Sequence, residues 1–145
     1  MSDQVRNEPV RNLAHRRILI ADDAVDTREM YAVYLEMDGY NVERAENGYE
    51  TVLKARVVRP DLIVLDLQMP KLDGWGALRE LQKDVRTSTI PVIVLTGHDL
   101  KDYLKYSGFA EGATTYFTKP ILPERLAHEI ALRLADPRAR PQIAS

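Results

Sequence analysis

Four places in this sequence combine a reactive side chain with the same local setting. Asp22-Asp23, Asp66, Thr96 and Lys119 each stand at or just past the end of a predicted strand, the first three after a short apolar run. The apolar runs are Ile18-Leu19-Ile20-Ala21, Leu62-Ile63-Val64-Leu65 and Val92-Ile93-Val94-Leu95, and Thr114 to Phe117 reads as a further strand. Unbroken apolar runs of this length suit strands buried on both faces of a parallel sheet. In such a sheet the carboxyl ends of the strands share one edge, where ligand crevices form. Each group alone has a plainer use, because acids and hydroxyls cap helices and turns and lysines are commonly solvated. It is their common placement that points to chemistry.

Three carboxylates gathered in one crevice repel one another. At ~4 Å a pair of like charges costs about 4 kcal/mol at an effective dielectric near 20. Either some protons stay on, or a cation enters. The chain has no cysteine, and His15, His98 and His128 are scattered, so zinc is disfavoured. An all-oxygen set suits Mg²⁺, which takes one or two carboxylates, several waters and phosphate oxygen. Thr96 can donate a hydrogen bond to an added phosphoryl group, and Lys119 can neutralise it as a point charge. A carboxylate nucleophile, a metal and a cation are the parts required for in-line phosphoryl transfer.

The elements that must position these groups alternate along the chain. After the first strand, Asp26 with Glu29 resembles a capping box opening a helix whose core stripe is Met30, Val33, Tyr34 and Met37, closed by Gly39. Residues 40–45 read as a half-exposed strand. Asn47 with Glu50 then starts a helix carrying Val52, Leu53 and Val57, stopped by Arg59-Pro60. The Asp66 strand follows, then a loop with Pro70 and Gly74 and a helix with Leu78, Leu81 and Val85 inward. Pro91 opens the Thr96 strand. Asp99 can cap a fourth helix over 99–112, which Gly108 weakens by about 1 kcal/mol relative to Ala. The strand ending at Thr118-Lys119-Pro120 leads to a last helix, with Pro123 in its first turn and Leu126, Ile130 and Leu134 buried.

Strand and helix in strict alternation with short links predict an α/β fold with a doubly wound parallel sheet of five strands and five helices. At 145 residues there is room for one domain. We expect it over residues 16–136, between a flexible lead at 1–15 and a tail at 137–145 with nothing to pack against. A net charge of -2 gives no bulk electrostatic reason to expect nucleic acid or an anionic membrane as partner. The two arginines of the tail, Arg138 and Arg140, are too few for DNA binding. No apolar run approaches the ~18 residues of a membrane span, and the polar start lacks a signal peptide's apolar core, so a cytoplasmic location is expected.

At this point the chain resembles a response-regulator receiver domain of two-component signalling, of single-domain type. The similarity spans residues 17–134. It rests on Ile18-Leu19-Ile20-Ala21-Asp22-Asp23, on Leu62 through Pro70 with Gly74, on Val92-Ile93-Val94-Leu95-Thr96, and on Tyr116-Phe117-Thr118-Lys119-Pro120. The resemblance implies a flavodoxin-like sheet of order 2-1-3-4-5. It implies that Asp66 accepts a phosphoryl group from a histidine kinase or histidine phosphotransfer protein. Mg²⁺ would be held by Asp23, Asp66 and the backbone carbonyl of Gln68, with Asp22 reaching it through water. Lys119, Thr96 and the Gly97 N–H would bind the phosphoryl oxygens, and the Lys119–Pro120 bond would be cis. Thr96 moving toward the phosphoryl group would let Tyr116 turn inward. The readout would then lie on the face of the fourth helix, fifth strand and last helix, where Tyr103 and Tyr106 fall, and would act on a downstream protein.

Some positions depart from the commonest pattern of that family. Thr114-Thr115 stand where acids are frequent, and the 96–112 segment is about one residue long. Gln68 and His98 occupy positions expected to set the lifetime of the phosphoryl group. Two other functions use similar parts. A haloacid-dehalogenase-type phosphohydrolase also uses an Asp nucleophile with Mg²⁺ and Lys, but needs a second Asp where this chain has Gln68, and a cap domain. A degenerate receiver would bind partners without phosphorylation, yet here every acidic position is filled. No output domain is expected after the last helix, which leaves docking onto another protein, a shuttle or a phosphate sink.

Overall fold

The computed structural model describes residues 15–69, 71–97, 114–135 and 143–144. The predicted fourth helix with Tyr103 and Tyr106, His98, Pro70, residues 1–14 and most of the tail lie outside the described residues. The strands are β1 Arg17–Ala21, β2 Asn41–Ala45, β3 Leu62–Asp66, β4 Val92–Thr96, β5 Thr114–Thr118 and β6 Ile143–Ala144. Four helices are described: α1 Val25–Met37, α2 Gly48–Val58, α3 Gly74–Lys83 and α4 Pro123–Ala135. All strand pairs are parallel, in the order β2-β1-β3-β4-β5-β6. The expected 2-1-3-4-5 order is therefore present, with a two-residue strand added outside β5.

The central strands bury both faces, as their apolar runs require. Alternate residues feed two cores. Leu19, Ile63, Leu65 and Val94 pack with α2 and α3 through Val52, Ala55, Leu78 and Leu81. Ile18, Ile20, Val64 and Leu95 pack with α1 and α4 through Tyr31, Leu35, Leu126 and Ile130. The buried face predicted for α4 is the observed one.

α1 turns a different face inward from the one expected. Met30, Val33 and Met37 are 47%, 46% and 82% exposed, whereas Tyr31, Ala32 and Leu35 are buried. Large apolar residues occupy both sides of this helix, so periodicity alone admits two phases. The side with Ala32 faces inward because a methyl lets the helix backbone lie close to the sheet. The start also differs. The N-cap is Ala24, without a side-chain cap, and Asp26 lies in the first turn. Asp22 does the organising instead, its Oδ1 accepting the Ala24 N–H at 2.9 Å.

Asn47 caps α2 as expected, accepting the Glu50 N–H at 2.9 Å. Leu53 and Val57 nevertheless face solvent, and Thr51 and Ala55 point inward. Thr51 is tolerated there because its hydroxyl donates to the Asn47 carbonyl at 2.7 Å. Arg59 ends the helix in the left-handed region, at φ 50°. Val85 lies beyond the end of α3 and is exposed. The tail, expected to pack against nothing, instead pairs Ile143 with Tyr116 and Ala144 with Phe117. An edge strand with unpaired backbone groups invites such a partner.

Candidate functional site

The ends of β1, β3 and β5 bring Asp22, Asp23, Asp66 and Lys119 together. One carboxylate oxygen from each aspartate lies within 4.8 Å of the others. Asp22 and Asp66 are buried, and Asp23 is open to solvent. Lys119 reaches between the buried pair, its Nζ 2.9 Å from Asp22 Oδ2 and 3.2 Å from Asp66 Oδ2. The backbone behind it is fixed to β4 by Lys119 N–H donating to the Thr96 carbonyl at 2.7 Å. Thr96 is fully buried at the end of β4. Gly97 is exposed beside the Gln68 side chain.

The two buried acids differ in their remaining contacts. Asp22 has both oxygens engaged, by Ala24 N–H and by Lys119. Asp66 Oδ1 accepts the Gln68 N–H at 3.1 Å, which turns the chain sharply after β3. The return of that chain is tight. A Cβ on Gly74 would stand 2.4 Å from Leu67 Cα and 2.6 Å from the Asp66 carbonyl oxygen, so only glycine lets α3 begin there. Asp73 then caps α3 by accepting the Gly76 N–H at 2.8 Å.

Burial pushes the Asp66 carboxyl above the ordinary carboxylate range, against the Gln68 N–H and the Lys119 charge that pull it down. Burial pulls the Lys119 ammonium down, but Asp22 and Asp66 more than offset this and hold it above its usual value. One cation thus balances two of three clustered anions. The donor set is all oxygen, compact and open on the Asp23 side, which fits a hard divalent cation.

Of the remaining predicted groups, the Lys119–Pro120 bond is cis. Tyr116 lies inside the sheet core at 1% exposure. Two residues at the site were not foreseen. Arg28 donates from Nη1 to the Asp22 carbonyl at 3.0 Å, and the Tyr31 hydroxyl donates to the Ile121 carbonyl at 2.7 Å. A cation in the first turns of a helix that follows a strand-end acid is a signal for the former. The latter joins residues too far apart for any local signal.

The model of the response regulator receiver domain matches residues 18–131. This chain belongs to that family. Protein PilH of Pseudomonas aeruginosa is 42% identical over 119 residues, covering 82% of this chain and 98% of that protein. The transcriptional regulators that this receiver also matches are longer; it spans between 43% and 53% of their lengths. Among solved structures, the signal receiver domain of a signal transduction histidine kinase from Syntrophus aciditrophicus is 34% identical, with a TM-score of 0.74 over 86% of this chain and 95% of that one. The receiver domain of sensor histidine kinase PA1611 from Pseudomonas aeruginosa, crystallised with magnesium coordinated in its active-site cleft, is 25% identical, with a TM-score of 0.76 over 84% and 99%. Among the described residues no helix is long and apolar enough to cross a membrane.

Proposed function

We propose that this receiver takes a phosphoryl group onto Asp66 from a phosphorylated histidine of a kinase or phosphotransfer protein. The observation that carries this is Lys119 set between Asp22 and Asp66, with Asp23 completing a cluster within 4.8 Å. A carboxylate oxygen of Asp66 attacks phosphorus, the O–P bond forms, and the N–P bond breaks with its electron pair returning to the imidazole. Asp23, Asp66 and the Gln68 carbonyl would hold Mg²⁺. Asp22, whose oxygens are already engaged, would act through water. Bound Mg²⁺ supplies positive charge that lets an anionic phosphoryl group approach an anionic carboxylate. Lys119 then follows the new charge, and Thr96 and the Gly97 N–H donate to the phosphoryl oxygens. Tyr116, on β5 just before Lys119, passes the change to a docking face for a downstream protein. Gln68 and His98 set how long the phosphoryl group lasts. The protein is cytoplasmic on this account, with Mg²⁺ as its cofactor.

Met30 and Val33, exposed on the helix that starts just past Asp22-Asp23, and Leu122, exposed three residues past Lys119, offer an apolar surface for the phosphohistidine partner. Beryllofluoride mimics an aspartyl-bound phosphoryl group. We expect ¹⁹F NMR to show it bound only when Mg²⁺ is present, weakened in Lys119→Ala and lost in Asp66→Asn. Steady turnover of small phosphoesters would indicate a hydrolase instead. Binding of beryllofluoride to Asp66→Asn would refute the assignment of Asp66.

A further inference from the structure

Tyr31 lies on the inner face of α1, and its hydroxyl donates to the carbonyl of Ile121 across 90 positions of sequence. Ile121 is two residues past Lys119. The segment that carries Lys119 is therefore tied on one side to β4, through Lys119 N–H and the Thr96 carbonyl, and on the other to α1, through Tyr31. Between these two anchors its ammonium is aimed at Asp22 and Asp66. A phenylalanine would fill the same buried space, so packing accounts for the ring but not for the hydroxyl. A buried hydroxyl is costly without a partner, and its partner here is the Lys119 loop.

We propose that Tyr31 is a positioning residue for Lys119, and that it links the partner-facing helix α1 to the cation that meets the phosphoryl group. Tyr31 and its neighbours Met30 and Val33 share one helix but face opposite ways, inward to the Lys119 loop and outward to solvent. A partner that shifts α1 therefore shifts the anchor of Lys119 with it. The kinetic consequence rests on the assignment of Asp66 as phosphoacceptor; the positioning of Lys119 does not.

The test is Tyr31→Phe in the full chain, with Tyr34→Phe, another α1 hydroxyl, as the control. NMR of the Lys119 side-chain Cε–Hε group reads the position of the ammonium without any phosphodonor. We expect its resonance to move in Tyr31→Phe and to stay in Tyr34→Phe. With acetyl phosphate and Mg²⁺, Tyr31→Phe is expected to be phosphorylated about fivefold more slowly, the worth of one neutral hydrogen bond. A Lys119 resonance unchanged by Tyr31→Phe overturns the inference, whatever happens to thermal stability. If the wild-type chain takes no phosphoryl group, the assignment of Asp66 fails, and the NMR comparison still decides the role of Tyr31.

Discussion

Asp66 is placed where its charge is useful and costly at once. Burial raises its folded pKa above the unfolded value near 3.8. For an acid shifted this way, the stabilising contribution is present below the unfolded value and is lost as pH rises through the folded one. At neutral pH and without divalent metal, the ionised carboxylate therefore weakens the fold. Asp66→Asn is expected to unfold at higher urea than wild type at pH 7 in a chelating buffer, with the gap closing toward pH 4. Equal midpoints at both pH values would contradict this. The acids and Lys119 were legible because strand ends in a parallel sheet converge, so an apolar run followed by an acid or lysine gives both element and address. Tyr31 was not, since its contact joins α1 to a loop 90 positions away in sequence.

Helix phase was the main thing hidden at the scale of elements. The apolar residues of α1 and α2 lie on both sides, and the sheet selects the side with small or self-satisfied residues, Ala32 on α1 and Thr51 and Ala55 on α2. Met30 and Val33 are left outside α1, where they can meet a partner. Replacing Met30 and Val33 by Glu is expected to slow transfer from a phosphohistidine protein by about tenfold or more, as for loss of a central interface contact. Labelling by acetyl phosphate should remain at the wild-type rate, and equal slowing with both donors would show that the helix face has no docking role. The junction of β3 and α3 is the other sensitive element. Gly74→Ala drives a methyl into the Leu67 and Asp66 backbone, which is expected to cost about 2 kcal/mol in urea unfolding and to slow labelling of Asp66. Wild-type stability would mean the junction relaxes freely.

For the molecule as a whole, alternating strand and helix patterns were enough to fix the class, because few topologies suit short crossovers between parallel strands. The strand order came from family resemblance, since apolar runs carry no information about which neighbours they choose. The pairing of Ile143 and Ala144 with β5 was hidden for a similar reason: two residues make no pattern, and the edge of β5 supplies the template. Ending the chain after Asp136 is expected to speed amide exchange over residues 114–118 by about tenfold, as pairing is lost at one edge. Unchanged exchange would show that β6 does not protect that edge.

The acidic cluster and Lys119 exist, on this account, to make one carboxylate accept phosphate. The most direct measurement is intact-mass and peptide mass spectrometry after incubation with acetyl phosphate, with Mg²⁺ or with chelator, on wild type, Asp23→Asn and Asp66→Asn. The predicted result is one phosphoryl group per chain, on Asp66, with Mg²⁺ only, slowed in Asp23→Asn and absent in Asp66→Asn. A phosphoryl group that still appears in Asp66→Asn, or a wild-type mass that never changes with Mg²⁺ present, would contradict it.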